Sequence, residues 1–427
     1  MFRSRRAQAI DCPADRKRVW IVNPFDPLPG DPEPPGRYAS LARVLRDAGY
    51  VVTWWTASFS HRYKRRLDQE PLLDACRREG IEVCFVETPP YERNVSLSRF
   101  RSHRAFADGF ARASLAFAAP VVIVASNPPM ESAAAAGRVA RDLGARLIVD
   151  VQDIWIETSR RFLPFLIRWA WPLLFRPWIR ANREAFAAAD AVVGVARDYA
   201  DQAIRYGSGA CRREVIPLGI DLAAFDVAAA SGRSLLPARS EGQVRVIYSG
   251  SLSRNYDVLT AARAARRVVA AHPHLEVIFN GRGELVPELR QMIAGVPGIR
   301  LFDFVGAADW AATVKECDIG WNAVRPESRI LFPNKVFGYW AAGLAILNTI
   351  PGECAEWIAR TETGVTYAAG DEEGACRALT ELAADPARLA SMRAAARASA
   401  VDLWDRKYLY RAYLSLVESL ADPERPC

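Results

Sequence analysis

The chain has 427 residues, 51% of them hydrophobic, with a formal net charge of +7. That is too long for one comfortable core and suits two domains of roughly 200 residues each. No apolar run reaches the roughly 18 residues a spanning helix needs, which argues against a transmembrane segment. Eight Cys without a C-x-x-C pair and only four His exclude a zinc-finger or disulfide framework and point to reduced thiols in a cytosolic protein. Met1 to Lys17 is Arg-rich with no apolar run behind it, so it reads as a loose tail rather than a signal peptide. The charge is uneven: residues 1–200 carry 30 Lys and Arg against 22 Asp and Glu. An anionic membrane surface, a lipid diphosphate or a nucleic acid would each answer that bias, and an Arg-rich composition arising from a GC-rich genome is the bland alternative.

Along the chain, short apolar runs alternate with amphipathic helical stretches, the pattern of parallel sheets covered on both faces. The first half predicts strands at 18–23, 51–56, 81–86, 121–126, 146–150 and 191–195. Helices are predicted at 38–48, closing at Gly49, and at 131–143, closing at Gly144. A strand near Val215 runs into Pro217 and Gly219, and the Ala-rich stretch to about Glu241 has the composition of a hinge. The second half predicts strands at 245–249, 275–279, 299–302, 319–322 and 345–348. The end, Leu403 to Leu420, predicts one Tyr- and Leu-rich amphipathic helix.

Several segments could carry chemistry. In Phe332–Asn348, FPNKVFGYWAAGLAILN, a Pro-Asn-Lys turn opens a short helix that Gly343 can end in a left-handed conformation. The free amides at that start, with Asn334 and the cation of Lys335, offer a diphosphate site. Gly250-Ser251-Leu252-Ser253-Arg254 follows a strand and could receive the same diphosphate; an ordinary turn with a surface Arg is the alternative. In Asn280-Gly281-Arg282-Gly283-Glu284 the glycines allow close backbone approach to a base or ribose, or simply make a turn. Prolines interrupt the first strand-to-helix connection, which disfavours a dinucleotide fingerprint and an NAD-dependent oxidoreductase. No D-x-D triplet occurs, so no metal is expected. Residues 158–183 interleave Arg with three Trp and several Leu and Phe; they could meet a membrane interface or form a buried hairpin with snorkelling Arg.

The order of these motifs resembles glycosyltransferase family 4. IPLGID at the join, YSGSLSRNYD, FNGRGE, FVG and PNKVFGYWAAG fall in the family's register. GRYASLARVLRDAGYVV, SNPP and DVQDIWIE are similar to a branch acting in bacterial surface-polysaccharide assembly. The resemblance spans about residues 18–400. It implies an α/β GT-B architecture, two Rossmann-like domains with parallel sheets facing a central cleft. The expected divisions are a tail at 1–17, an acceptor domain at 18–212, a donor domain at 213–402 and a C-terminal helix at 403–427 crossing back to the first domain.

The resemblance also implies a retaining, metal-independent hexosyltransferase working at the cytoplasmic face of the cell membrane. It would use a nucleotide-sugar donor and no cofactor, and a glycan or lipid-linked acceptor; no nucleic-acid partner is expected. The donor would lie against Gly250, Ser251, Arg254, Gly281, Asn334 and Lys335. Asp153, at a strand end with Asp150, Gln152 and Glu157, falls where relatives place a donor-sugar contact, although such an Asp often only caps a helix. Gln152 stands where many relatives carry His. Arg37, His61, Arg99 and Gln152, with His103, are the acceptor-side candidates, Arg37 pointing toward the cleft.

One departure matters. The family's ribose-binding Glu falls on Gly338 and its partner, eight residues earlier, on Ile330, so Glu353 or Glu327 would have to hold the ribose. That loss keeps a rival open: a catalytically inactive GT-B scaffold. A nucleotide-sugar epimerase is a third reading.

Overall fold

The computed structural model describes residues 16–94, 96–160, 163–208 and 211–422; most of the tail expected at 1–17 lies outside them. The chain forms two compact units, Met1–Pro217 with Leu409–Cys427, and Leu218–Tyr408. The divide thus falls after Pro217 rather than at the expected 212, and the return to the first unit comes at Leu409 rather than 403.

The first unit is built on a seven-stranded parallel sheet. Its strands are β1 (Arg18–Val22), β2 (Val51–Ala57), β5 (Ile81–Val86), β6 (Val122–Asn127), β7 (Arg146–Val151), β8 (Ala191–Gly194) and β9 (Arg212–Val215), in the order β5-β2-β1-β6-β7-β8-β9. A small antiparallel hairpin, β3 (Phe59–Ser60) with β4 (Arg65–Arg66), branches off after β2; the sequence reading did not contain it. Val19 pairs with Val52 on one side and Val122 on the other, so β1 is central and its apolar run RVWIV is buried beyond Arg18. Chain direction across the sheet reverses at β1, which puts the crevice of this unit beyond its carboxyl end.

Arg37 holds this unit together and does not serve a binding surface. It opens the helix Arg37–Asp47, but its side chain is only 1% exposed. Its Nε and Nη2 donate to Asp150 Oδ2 and Oδ1 at 2.7 and 3.0 Å, and Nη1 donates to the carbonyls of Ile216 and Pro217 at 3.0 and 3.2 Å. The guanidinium also lies 5.3 and 5.4 Å from the Tyr410 and Tyr413 ring centres. The expected acceptor-side role is therefore corrected: Arg37 is a buried structural cation, and Asp150 is its counterion.

The second unit carries a six-stranded parallel sheet. Its strands are β10 (Val244–Ser251), β11 (Leu275–Arg282), β12 (Ile299–Phe302), β13 (Ile319–Asn322), β14 (Ala345–Asn348) and β15 (Gly364–Thr366), in the order β12-β11-β10-β13-β14-β15. Strand β15 was not foreseen, and β10 and β11 run past their expected ends to pair Gly250 with Gly281 and Ser251 with Arg282. The switch point is at β10.

The single helix expected over 403–420 is broken. Trp404 packs in the second unit against Phe332, Phe337, Trp340 and Trp357, and Asp405 is extended and bridges to Ile220. The chain then re-forms as the helix Arg411–Ala421, whose Tyr413, Leu416 and Val417 are buried in the first unit's core. Aromatic packing on one side of Asp405 and apolar burial on the other outweigh the helical periodicity.

Replacing Arg37 with Met would leave the Asp150 carboxylate buried without its cation. We expect a loss of about 3–5 kcal/mol in the first unit's urea-unfolding transition, with partial recovery in Arg37→Met/Asp150→Leu.

Candidate active site

In the second unit, Pro333 takes an extended conformation and the helix Asn334–Ala342 starts directly after it, ending at Gly343 with φ 71°. Phe332 and Phe337 pack with Trp340 and Trp404, and Val336 is buried, which anchors the first turn that carries Lys335. The Lys335 ammonium sits 4.0 Å from the Tyr248 ring centre and 4.4 Å from that of Tyr256. It is buried and, among the described residues, has no hydrogen-bond partner. Burial lowers its pKa to about 7. An unpaired cation in such a place is costly, and the aromatic faces repay part of that cost.

Beside it lies the end of β10. A Cβ at Gly250 would stand 3.7 Å from Lys335 Cε and Nζ. A Cβ at Gly281, whose φ is 152°, would lie 1.8 Å from the Gly250 carbonyl oxygen, so only glycine lets these strand ends run side by side. The other expected donor residues are more peripheral. Ser251 bonds Ser253 through their hydroxyls at 3.0 Å. Arg254 is 79% exposed and turned to Glu284 at 3.7 Å. Asn334 is exposed at the helix start, and Glu353 is half-buried in the first turn of the helix Glu353–Arg360. Glu327 is exposed on the turn Pro326–Ser328.

The space beside Gly338, where the resemblance would put a carboxylate, is filled from another element. A Cβ at Gly338 would come within 2.4 Å of Trp310 Cη2. The Trp310 indole N–H donates to Ser249 Oγ at 2.7 Å, Ser249 Oγ donates to Asn280 Oδ1 at 3.0 Å, and Asn280 Nδ2 donates to the Asp303 carbonyl at 2.8 Å. Trp310 thus braces the ends of β10 and β11. Sequence reasoning missed it, because a Trp inside the helix Ala307–Lys315 carries no local mark of its partnership with a Gly 28 positions on.

In the first unit, residues from four connections meet beyond the carboxyl end of β1. The Arg99 guanidinium lies 4.7 Å from the Trp155 ring centre and 5.9 Å from that of Phe25. Its Nε donates to His103 Nε2 at 3.3 Å and its Nη1 to the Asn94 carbonyl at 2.7 Å. Lys64, at the hairpin tip with φ 54°, donates to Asn94 Oδ1 at 2.6 Å and lies 3.2 Å from His61 Nδ1. Tyr91 OH is 2.6 Å from the same Nδ1. With donors converging on His61 Nδ1, its ring proton belongs on Nε2. Burial, then the charges of Arg99 and Lys64, push the His61 pKa down to about 3, and burial with Arg99 and His61 lowers that of His103 as well.

His61, Arg99 and His103 therefore come together in one cluster. Asp153 is exposed nearby, where its charge acts on Arg99. Gln152 is half-buried and donates its backbone N–H to the Asn127 carbonyl at 3.0 Å. Glu157 faces away to Tyr206, which donates to it at 2.8 Å. Lys64 went unnoticed, yet the chain holds five Lys against 51 Arg; Lys64 and Lys335, each in one of these two clusters, stand out on that count. Among the described residues no group of three or more His, Cys, Asp or Glu is placed to hold a metal ion, and no helix is long and apolar enough to cross a membrane.

Two Rossmann-like parallel-sheet units in one chain, with candidate site residues at the switch point of each, define the GT-B architecture. Residues 35–219 match the family described as glycosyl transferase 4-like domain, and residues 243–385 match glycosyl transferases group 1. The chain is accordingly a glycosyltransferase of the GT-B fold. Among solved structures it is similar to sucrose-phosphate synthase from Thermosynechococcus elongatus, with a TM-score of 0.69 at 15% identity over 96% of this chain and 100% of that one. It is also similar to HepE from Anabaena in complex with UDP, with a TM-score of 0.67 at 15% identity, covering 94% and 100%. A UDP-N-acetylglucosamine 2-epimerase from Listeria monocytogenes shares the fold at TM-score 0.60 and 12% identity, covering 96% and 98%. Identities this low speak to fold alone. No curated protein matches the chain.

Two outcomes follow from this geometry. Gly338→Glu alone should destabilise the second unit by at least about 2 kcal/mol in thermal or urea unfolding, because the new side chain meets the Trp310 ring, whereas Gly338→Glu/Trp310→Ala should recover much of the loss. Because His61 stays neutral in the fold, acid charges it first in the unfolded chain. Stability present above pH 6.5 should fall as the pH drops from 6.5 toward 3, and His61→Gln should flatten that decline in a pH series of melting temperatures.

Proposed function

We propose that this glycosyltransferase moves a hexose from a nucleoside diphosphate sugar to a glycan or polyprenyl-linked acceptor, with retention at the anomeric carbon and without a metal ion. The observation that carries the reading is the Lys335 ammonium, buried without a hydrogen-bonding partner among the described residues beside a strand end where only glycines fit. A diphosphate is the group that would repay the desolvation of that cation. The UDP held by the Anabaena relative of the same fold is consistent with such a donor.

In the proposed reaction the bond between the anomeric carbon and the diphosphate oxygen breaks as the acceptor oxygen attacks the same face. The acceptor proton passes to the departing diphosphate oxygen, so no protein base is required. Lys335, with the open amides at the start of its helix, takes up the charge that grows on the leaving group. Arg254, exposed beside Glu284, would serve as an outer contact, and Asn334 and Glu353 would border the nucleotide. On the acceptor side, Arg99 and Lys64 supply cationic and His61 and Tyr91 neutral hydrogen-bonding groups suited to an acidic or phosphorylated acceptor. Asp153 is the proposed sugar contact, and Gln152 could orient a hydroxyl.

One observation favours a second reading, the inactive scaffold: Trp310 stands in the space the ribose-binding carboxylate would need. The two readings part on turnover, since a scaffold would release no nucleoside diphosphate from any donor sugar.

Thermal shifts with UDP, GDP, ADP and their sugar conjugates test the donor site. The wild-type melting temperature should rise with one base family. Lys335→Met should melt higher than wild type without ligand, because it removes a penalty on the order of 3–4 kcal/mol near neutral pH, and should lose the nucleotide response. The Lys335 penalty is complete below about pH 7 and is relieved as the pH climbs toward 10.5. A bound diphosphate favours the ammonium, so nucleotide affinity should be level below about pH 7 and decline above it. No response to any nucleotide at millimolar concentration would sink the reading.

A further inference from the structure

From Phe165 the chain makes a short 3-10 turn, Phe165–Ala170, and a single helical turn, Trp171–Leu174, before the helix Arg176–Ala188. Trp171 is half-buried, stacked on Phe175 with its indole N–H donating to Ser159 Oγ at 2.9 Å, but five other large apolar side chains of these turns stand largely uncovered by the described residues. Phe165 and Leu166 are each 81% exposed, Trp169 79%, Leu173 69% and Leu174 48%. Single exposed apolar residues are ordinary on a protein surface, but five large ones within ten positions form a patch that demands an occupant.

Next to the patch is a pocket of about 550 Å³ whose walls include Arg176, Arg180, Arg183 and Arg205. Its one carboxylate, Glu157, already accepts from Tyr206 at 2.8 Å. Arg180 also pairs with Glu184 at 2.8 Å. Between positions 158 and 183 there are six Arg and no Asp or Glu. Large apolar and aromatic side chains beside a rim of four arginines, whose one carboxylate is already hydrogen-bonded to Tyr206, are what the headgroup layer of an anionic bilayer accepts: the rings and Leu reach the acyl boundary and the guanidinium groups stay among phosphates. The two turns are far too short to span, so the segment would lie in the interface rather than cross it.

We propose that residues 163–183 are a docking surface for an anionic lipid bilayer, with the arginine-walled pocket receiving a lipid phosphate headgroup. The inference is independent of the transfer reaction, because it rests on no residue of the donor or acceptor clusters. Charge complementarity decides the occupant: a second copy of this chain would have to set one strongly basic patch against another, at a cost.

The test is co-sedimentation of the full chain with phosphatidylcholine vesicles and with vesicles that also contain phosphatidylglycerol, at low and high salt. Binding should require the anionic lipid and weaken with salt. Phe165→Ser/Leu166→Ser/Trp169→Ser should weaken it by at least about tenfold, and Arg176→Gln/Arg183→Gln by roughly fivefold per arginine. All five side chains are exposed, and equal melting temperatures would verify that both variants fold. Absence of vesicle binding, or binding that neither variant changes, would overturn the proposal. So would a wild-type dimer that the triple Ser variant turns into a monomer without any vesicle binding, since the patch would then cover a second copy.

Discussion

The Arg37–Asp150 pair is the constraint on which the first unit's geometry rests. One guanidinium joins the start of a helix, the end of β7, the carbonyls of Ile216 and Pro217 and two tyrosines some 370 positions along the chain. Its charge is matched by a carboxylate that is equally buried, so desolvation is repaid by short, bidentate hydrogen bonds. Lys335 is the opposite case. It too is a buried cation, but it has aromatic faces in place of a counterion. A matched buried charge serves the fold, whereas an unmatched one is a cost that a ligand can relieve. That difference separates the structural cation from the one proposed to meet a ligand more firmly than burial or charge alone could.

The same contrast explains what could be read in advance. The alternation of apolar runs with amphipathic stretches revealed two parallel sheets because strands buried on both faces have little freedom in composition. The Pro-Asn-Lys turn and Gly343 marked the helix that carries Lys335, since both act through local backbone geometry. Arg37 was misassigned because its partners lie more than a hundred residues away, and nothing in GRYASL distinguishes an arginine that points inward. The hairpin bearing Lys64 was invisible for a different reason: two-residue strands are too short to show a period. The C-terminal helix looked continuous because its periodicity is, and only the competing pull of the Trp404 aromatic cluster breaks it.

The two candidate clusters obey different electrostatics. Around Lys335 a single positive charge is held in a nearly apolar setting. Around Arg99 two cations are packed against neutral histidines and a tyrosine, so charge is dispersed through hydrogen bonds and ring faces and a rigid donor array results. The first arrangement leaves its charge for a ligand to match, as the proposed diphosphate would. The second holds its charge in a fixed array, which under the proposed function would recognise an anionic group without neutralising it outright.

The interlocking of Gly338 with Trp310 also limits how this site could have changed over time. A carboxylate at 338 and an indole at 310 compete for one volume, so neither can be exchanged alone without passing through an overpacked intermediate. A smaller side chain at 310 opens the space first, and only then is an acidic residue at 338 tolerated; in the other direction the acid must go before the indole arrives. The order of steps is therefore imposed by packing, and the Gly–Trp pair is separated from a Glu-bearing alternative by a barrier of sterics rather than of chemistry.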